Sequence, residues 1–421
     1  LINFDYMKNN IFLLIAASIF ILSFSSCDDL LDVTPKDKIT PETFFSTEAD
    51  LQAFSTNFYN SLPKDRDLYK DDADNITHST PNSAATDSRT VPASGGGWEW
   101  GYLRRFNTLL QYSVNCKDKT VRTRYQALTR FFRAYFYFEM VKRFGDVPWY
   151  DTELFVSETD QLNKPRDSRE LVIKNILEDL DFAITNLSTT PSVYTVTKWT
   201  ALSLKSRVCL FEGTFRKYHN LNLSTNADFF LQESITASRE LMKESNYTLY
   251  TEGGTNQAYR KLFTSQNAPT TEVIMARNYN LTYDIYNTVG TYHTSVGEGR
   301  PGVTRKIIAS YLMNDGSRFT DNPNWETMTF VDECKNRDPR LAQSICTPSY
   351  QPIVSNRKNI PDLNACVTGY QLIKYEDEAV GGKSDIDLFY FRLAEVYLNY
   401  AEALAEINQL TQDDLDISIN K

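Results

Sequence analysis

The sequence predicts a mostly α-helical fold of consecutive helix pairs, as in a solenoid, with a long loop-rich region. Three observations predict it. Apolar residues recur at spacings of three and four in several stretches between residues 100 and 244, the period of an amphipathic helix. Capping and breaking residues bound those stretches. From about Thr248 to Leu388 the pattern lapses, and Gly, Pro, Asn and Thr become frequent.

Taken in order, Ser46 or Thr47 caps a helix running to about Leu62, closed by Pro63. Residues 64–99 are polar and read as a long loop, a kind of segment that often carries function. Helical signal returns over Trp100–Asn115. Val121–Phe144 follows, with Leu128, Phe131, Phe132, Tyr135, Phe138 and Val141 on its apolar side. Gly145 sits where a C-terminal glycine ends a helix, and Pro148 lies just beyond. Residues 168–187 repeat the pattern with Leu171, Ile173, Ile176, Leu177, Leu180 and Ile184. Lys198–Tyr218 and Phe229–Glu244 complete the series, and helicity resumes over Phe389–Ile407. Between Thr248 and Leu388 the expectation is loops, short helices and a few short strands.

Composition removes several function classes. A chain of 421 residues can bury a large core without metal or disulfides. Its charge of 44 − 54 = −10 and the lack of a basic run argue against a nucleic-acid partner. None of the six cysteines forms a CxxC pair, and only three histidines occur, far apart, so no metal site or cofactor is expected. Cys209 falls in an apolar helix and reads as a small buried hydrophobe. Neither G-x-S-x-G nor H-E-x-x-H occurs, and nothing among the 54 acidic residues selects a catalytic pair.

Residues 1–6 precede Met7, the expected start, and Lys8 then adds positive charge. Ile11–Phe24 is apolar over the length of a signal-peptide core. It ends in Phe24-Ser25-Ser26-Cys27, which resembles a bacterial lipobox and makes Cys27 the expected lipidation site. Asp28, Asp29 and Asp32 follow, similar to the surface-export signal of Bacteroidetes lipoproteins. The chain therefore divides into a signal peptide over 1–26 (7–26 if Met7 is the start), a lipidated tether over 27–45, a helical-pair part over 46–247, and a loop-rich region with a C-terminal helix over 248–421.

Four stretches in order resemble the SusD/RagB family of outer-membrane nutrient-binding lipoproteins. They are the lipobox and tether ending in Pro41-Glu42-Thr43-Phe44-Phe45; Tyr102–Asn107 with Trp98 and Trp100 upstream; Arg130–Phe138 running on to Phe144-Gly145-Asp146-Val147-Pro148; and Arg337–Leu341 with Arg392–Ala403. The resemblance implies a tetratricopeptide-like helical-pair superhelix with a loop-rich ligand-facing region and no catalysis. It also implies an outer-membrane lipoprotein that captures oligosaccharides or peptides for a TonB-dependent transporter of the SusC type. The family continues beyond the point where this sequence reaches Ile419-Asn420-Lys421, so C-terminal truncation is expected. A surface glycoside hydrolase and a protein-binding helical scaffold are the rival readings.

Aromatic residues are the candidate ligand contacts, because sugar rings present apolar C–H faces on which an indole or phenol can stack. Trp98, Trp100 and Tyr102 follow the flexible run Gly95-Gly96-Gly97 and either stack on ligand or staple the loop to its helix. Tyr292 and Trp325 are candidates in the loop-rich region, Trp325 within the turn-like Asp321-Asn322-Pro323-Asn324-Trp325. Phe131–Phe138 reads as core, and Arg130 and Arg133 as bridges to neighbouring helices. The run Thr294–Arg300 lacks the spacing and lysine of a phosphate loop.

Overall fold

The computed structural model describes residues 44–68, 75–83, 85–350, 363–376 and 382–421. The expected signal peptide, Cys27 and nearly all of the tether lie outside the described residues. Phe45–Lys421 forms a single unit.

Helix α1 spans Glu48–Thr56 and opens on Thr47, whose side chain caps the Asp50 amide while Asp50 caps back; a 3₁₀ turn continues it over Asn57–Ser61. Strand β1 is only Ile76–Thr77. Helix α2 spans Gly101–Tyr112 and α3 spans Lys119–Phe144. The Asp118 carboxylate caps α3, and Gly145, at φ 70°, closes it. Helices α4 (Arg169–Asn186), α5 (Lys198–Tyr218) and α6 (Ala227–Glu244) follow, capped by Ser168, Thr197 and Asn226. Strands β2 (Val273–Arg277), β3 (Gly302–Val303) and β4 (Leu388–Arg392) precede the last long helix, α7 (Leu393–Glu406).

Helix α3 pairs with α4 and α5 with α6; α4 also touches α5, and α7 returns to pack on both α5 and α6. This is the expected series of helix pairs. The expected core of α3 is buried except for Leu128, which is half-buried; Phe131 and Phe132 are inaccessible. Cys209 is fully buried as well, and burial pushes its thiol far up. Leu210, Leu231, Ile235, Tyr400, Ala403 and Leu404 join α5, α6 and α7 in one apolar cluster.

Two expectations need correction. Residues 389–392 begin no helix: they form β4, antiparallel to β2 with Val273 opposite Arg392 and Ala276 opposite Phe389. Phe389, Tyr390 and Phe391 suit a strand, and pairing with a distant segment outweighs the local helical signal. Leu171 is not on the apolar side of α4 but largely exposed; Val172, Ile173, Ile176, Leu177 and Leu180 face the core instead.

Buried ion clamps tie the helices together. Arg133 on α3 donates to both oxygens of Asp179 on α4, at 2.6 and 2.8 Å, fulfilling the expected bridge. Arg169 at the start of α4 and Arg216 on α5 both donate to Glu212 on α5.

Gly213 sets the approach of α5 to α6. A Cβ there would meet Leu231 Cγ at 2.7 Å and the Ala227 carbonyl oxygen at 3.1 Å. Gly213→Ala is expected to cost about 1–3 kcal/mol through overpacking, read as a lower urea midpoint at unchanged slope.

In the loop-rich part, β1 pairs with β3, Ile76 opposite Val303 and Thr77 opposite Gly302. The same part buries a carboxyl. Glu376 accepts from the Tyr350 hydroxyl, and Arg260 lies 3.8 Å away. Burial pushes the Glu376 carboxyl up to about 7, with Arg260 opposing. The unfolded group ionises near 4.5, so folding retains a proton between these values. Stability is therefore full below about pH 4.5 and falls, by about 2–3 kcal/mol, as pH rises to about 7. Glu376→Gln is expected to flatten that slope in urea titrations across the window.

Candidate functional site

The sequence-selected aromatics occupy three places. Trp98 and Trp100 lie against the C-terminal end of α3. Trp98 meets Phe144 edge-on at 4.9 Å and Trp100 at 5.1 Å, and the Arg166 guanidinium sits 5.0 Å from its ring centre. Trp100 packs against Phe136 and Tyr150. The Arg143 Nε donates to the Gly96 carbonyl at 2.6 Å, fixing the glycine run to α3. Tyr102 lies nearly parallel to Phe106, within α2. These contacts make the stapling arrangement, although Trp98 keeps 36% of its surface exposed.

Tyr292 stands on the short helix Val289–Thr294, and its hydroxyl lies 3.0 Å from His78 Nδ1. Arg66 covers its ring at 5.3 Å while pairing with Glu298 at 2.5 Å and donating to the Thr288 hydroxyl. Asp65 accepts from the Thr288 amide at 2.6 Å. Tyr292 thus belongs to the joint that fastens Asp65, Arg66 and His78 to the loop-rich part.

Trp325 is placed differently. It lines an open hollow of about 540 Å³ with Arg305, Lys306, Leu312, Arg318 and Thr320. That volume suits a small-molecule site, which spans about 300–1,000 Å³. Ala309 and Ser310 complete the lining of the hollow. Arg305 begins the short helix Arg305–Ser310, and its guanidinium donates to the Trp325 and Glu326 carbonyls at 2.8 Å and to the Glu333 carboxylate. It lies 5.3 Å from the Trp325 ring centre, while Phe319 meets that ring edge-on at 6.1 Å. The indole is thereby held in one place yet only half-buried.

Arg305 also separates this hollow from a second, of about 460 Å³, lined by Glu326, Phe330, Glu333 and Tyr370. Glu333 is buried, with one oxygen taken by Arg305 and the other by the Tyr370 hydroxyl at 2.6 Å. Burial and that carboxylate push the Tyr370 phenol well above its ordinary range. Sequence reasoning missed Arg305, Lys306, Arg318 and Tyr370. The one local signal is Asn314-Asp315-Gly316, a tight turn that brings Arg318 back beside Leu312. No group of three or more His, Cys, Asp and Glu is placed to hold a metal ion among the described residues. Among them, too, no helix is long and apolar enough to cross a membrane.

Two family models match the chain in succession. One, described as starch-binding associating with outer membrane, matches residues 29–210, and the other, the SusD family, matches residues 262–421. The chain belongs to the SusD/RagB family. A SusD-like protein of Formosa agariphila is 25% identical over 416 residues, 92% of this SusD-family chain and 76% of that protein. A SusD-like protein of Bacteroides fragilis has a TM-score of 0.72 at 23% identity, covering 91% of this chain and 80% of its own. A SusD-like carbohydrate-binding protein of the same species scores 0.70 at 21% identity, covering 90% and 78%. A further solved structure, with xylogluco-oligosaccharide, scores 0.50 at 16% identity, covering 88% and 64%. At these identities the structures establish the fold, the mostly helical SusD fold the sequence predicts.

Proposed function

We propose that this SusD-family chain is an outer-membrane lipoprotein, held through Cys27, whose body binds oligosaccharide at the cell surface and delivers it to a TonB-dependent transporter of the SusC type. Residues 46–247 serve as the frame, and the loop-rich region of residues 248–421, which includes α7, carries the ligand face. The observation that carries this reading is the open hollow beneath Trp325, where a fixed, half-exposed indole stands beside hydrogen-bond donors. An indole stacks on the C–H face of a pyranose while the donors meet its hydroxyls. The starch-binding description of the family and the xylogluco-oligosaccharide carried by one structural relative support the ligand class. Trp98, Trp100, Tyr102 and Tyr292 act chiefly as joints that hold the face, with the exposed part of Trp98 as a secondary contact.

Hydrolysis fits less well. Glu326 and Glu333 line one hollow, as a glycosidase pair does. Glu333 is buried, and its oxygens accept from Arg305 and Tyr370, which ties it into the frame instead of aiming it at a scissile bond. Affinity electrophoresis through gels cast with different polysaccharides tests the proposal, alongside a reducing-end assay. Retardation by at least one polysaccharide without new reducing ends is the expected result. New reducing ends point to the hydrolase reading. Co-purification of the transporter without retardation by any glycan points to a scaffold.

A further inference from the structure

The hollow beneath Trp325 is electropositive on a protein whose net charge is −10. Its lining holds three cations, Arg305, Lys306 and Arg318, and no carboxylate. They are not equivalent. Arg305 is neutralised by buried Glu333, and its terminal nitrogens also hold the Trp325 and Glu326 carbonyls, so it positions the indole. Lys306 and Arg318 are exposed, and neither has an acidic partner within ion-pair distance among the described residues. Elsewhere most cations near the core are paired, as Arg133, Arg169, Arg207 and Arg216 are. Two uncompensated positive charges therefore face one aromatic platform. They sit on separate segments, Lys306 on a helix and Arg318 on the returning arm of the turn at Gly316, where its backbone bridges to Leu312.

We infer that the Trp325 hollow takes an anionic sugar residue, its ring stacked on the indole and its carboxylate or sulfate ester held by Lys306 and Arg318. The inference rests on the glycan-binding reading above and narrows its substrate class. A neutral sugar offers the two cations only hydroxyl acceptors and leaves their charge uncompensated. An anionic substituent gives each a charge-assisted hydrogen bond, about twice as strong as a neutral one. Arg318 offers a planar fork that matches a carboxylate or sulfate edge, and Lys306 a point charge.

Isothermal titration of the whole protein decides it with four probes: an oligogalacturonide, the same oligosaccharide with its carboxyls reduced, a sulfated galactan oligosaccharide, and an acidic peptide of equal charge. Tighter binding of the uronate or the sulfated probe than of the carboxyl-reduced one is expected, and whichever binds identifies the anion. High salt should weaken that binding. Lys306→Gln with Arg318→Gln should weaken it about tenfold or more, leave the melting temperature unchanged, and weaken the carboxyl-reduced probe much less, because glutamine still donates to hydroxyls. Equal affinity for the acidic and reduced oligosaccharides, or an unchanged double variant, overturns the inference while leaving glycan binding intact. Binding of the peptide alone overturns it and the glycan reading together, as does failure of every glycan, neutral or acidic, to bind.

Discussion

Glu212→Ala is expected to cost about 3–5 kcal/mol of stability, the scale of a buried ion pair broken from one side. Glu212 is fully buried on α5 and accepts from Arg169 through Nε at 2.9 Å and Nη2 at 2.5 Å, and from Arg216 through Nε at 2.6 Å. Arg216 keeps a second partner, Glu170, at 2.7 Å. Arg169 has none among the described acids and is left as an uncompensated charge in the interior, 4.1 Å from the Phe215 ring centre. The penalty comes from the stranded cation more than from the lost attraction, so removing both charges should be milder than removing one. Arg169→Met with Glu212→Met is expected to recover more than half of the loss in urea denaturation. A loss below about 1 kcal/mol for Glu212→Ala would show that solvent reaches Arg169 and that the clamp contributes little.

What the sequence disclosed and what it concealed divide along the range of the interactions. Thr47 caps the Asp50 amide three residues on, so the start of α1 was readable; Asp118 and Asn226 act over the same short range, yet α3 and α6 each begin two residues before the Val121 and Phe229 that the apolar pattern marks. Gly145 ends α3 through its own backbone angle and was equally readable. Arg133 was legible as a bridge, but its partner Asp179 was not, because no local rule selects among the acids of a neighbouring helix. The strand at 388–392 was hidden for the same reason: its partner β2 lies in the irregular region, and a short aromatic run reads equally as helix or strand. Trp325 could be marked from its turn. The hollow around it could not, since Arg305, Lys306 and Arg318 converge only when the turn at Gly316 and the Glu333 carboxylate are in place.

Trp325→Ala is expected to lower affinity for the retained oligosaccharide about tenfold to a hundredfold while leaving the fold intact. A fixed aromatic at the centre of a recognition surface is the kind of residue whose truncation costs about 2 kcal/mol or more. The indole here is held by Arg305 from one side and by the edge of Phe319 from another, so its orientation is fixed before ligand arrives and little ordering entropy opposes binding. Stability should change little, because Trp325 is only half-buried and is not part of the buried cluster of Val303, Ile308, Leu341, Ile345 and Leu372. Trp325→Phe should keep most of the affinity. Trp98→Ala provides the contrast: its ring contacts Trp100, Phe144 and Arg166, so its loss should lower the melting temperature more than the affinity. Titration calorimetry beside thermal melting separates the two outcomes. If Trp325→Ala binds as the parent does and Trp98→Ala does not, the ligand face lies at the start of α2 and the hollow at Trp325 is not the site.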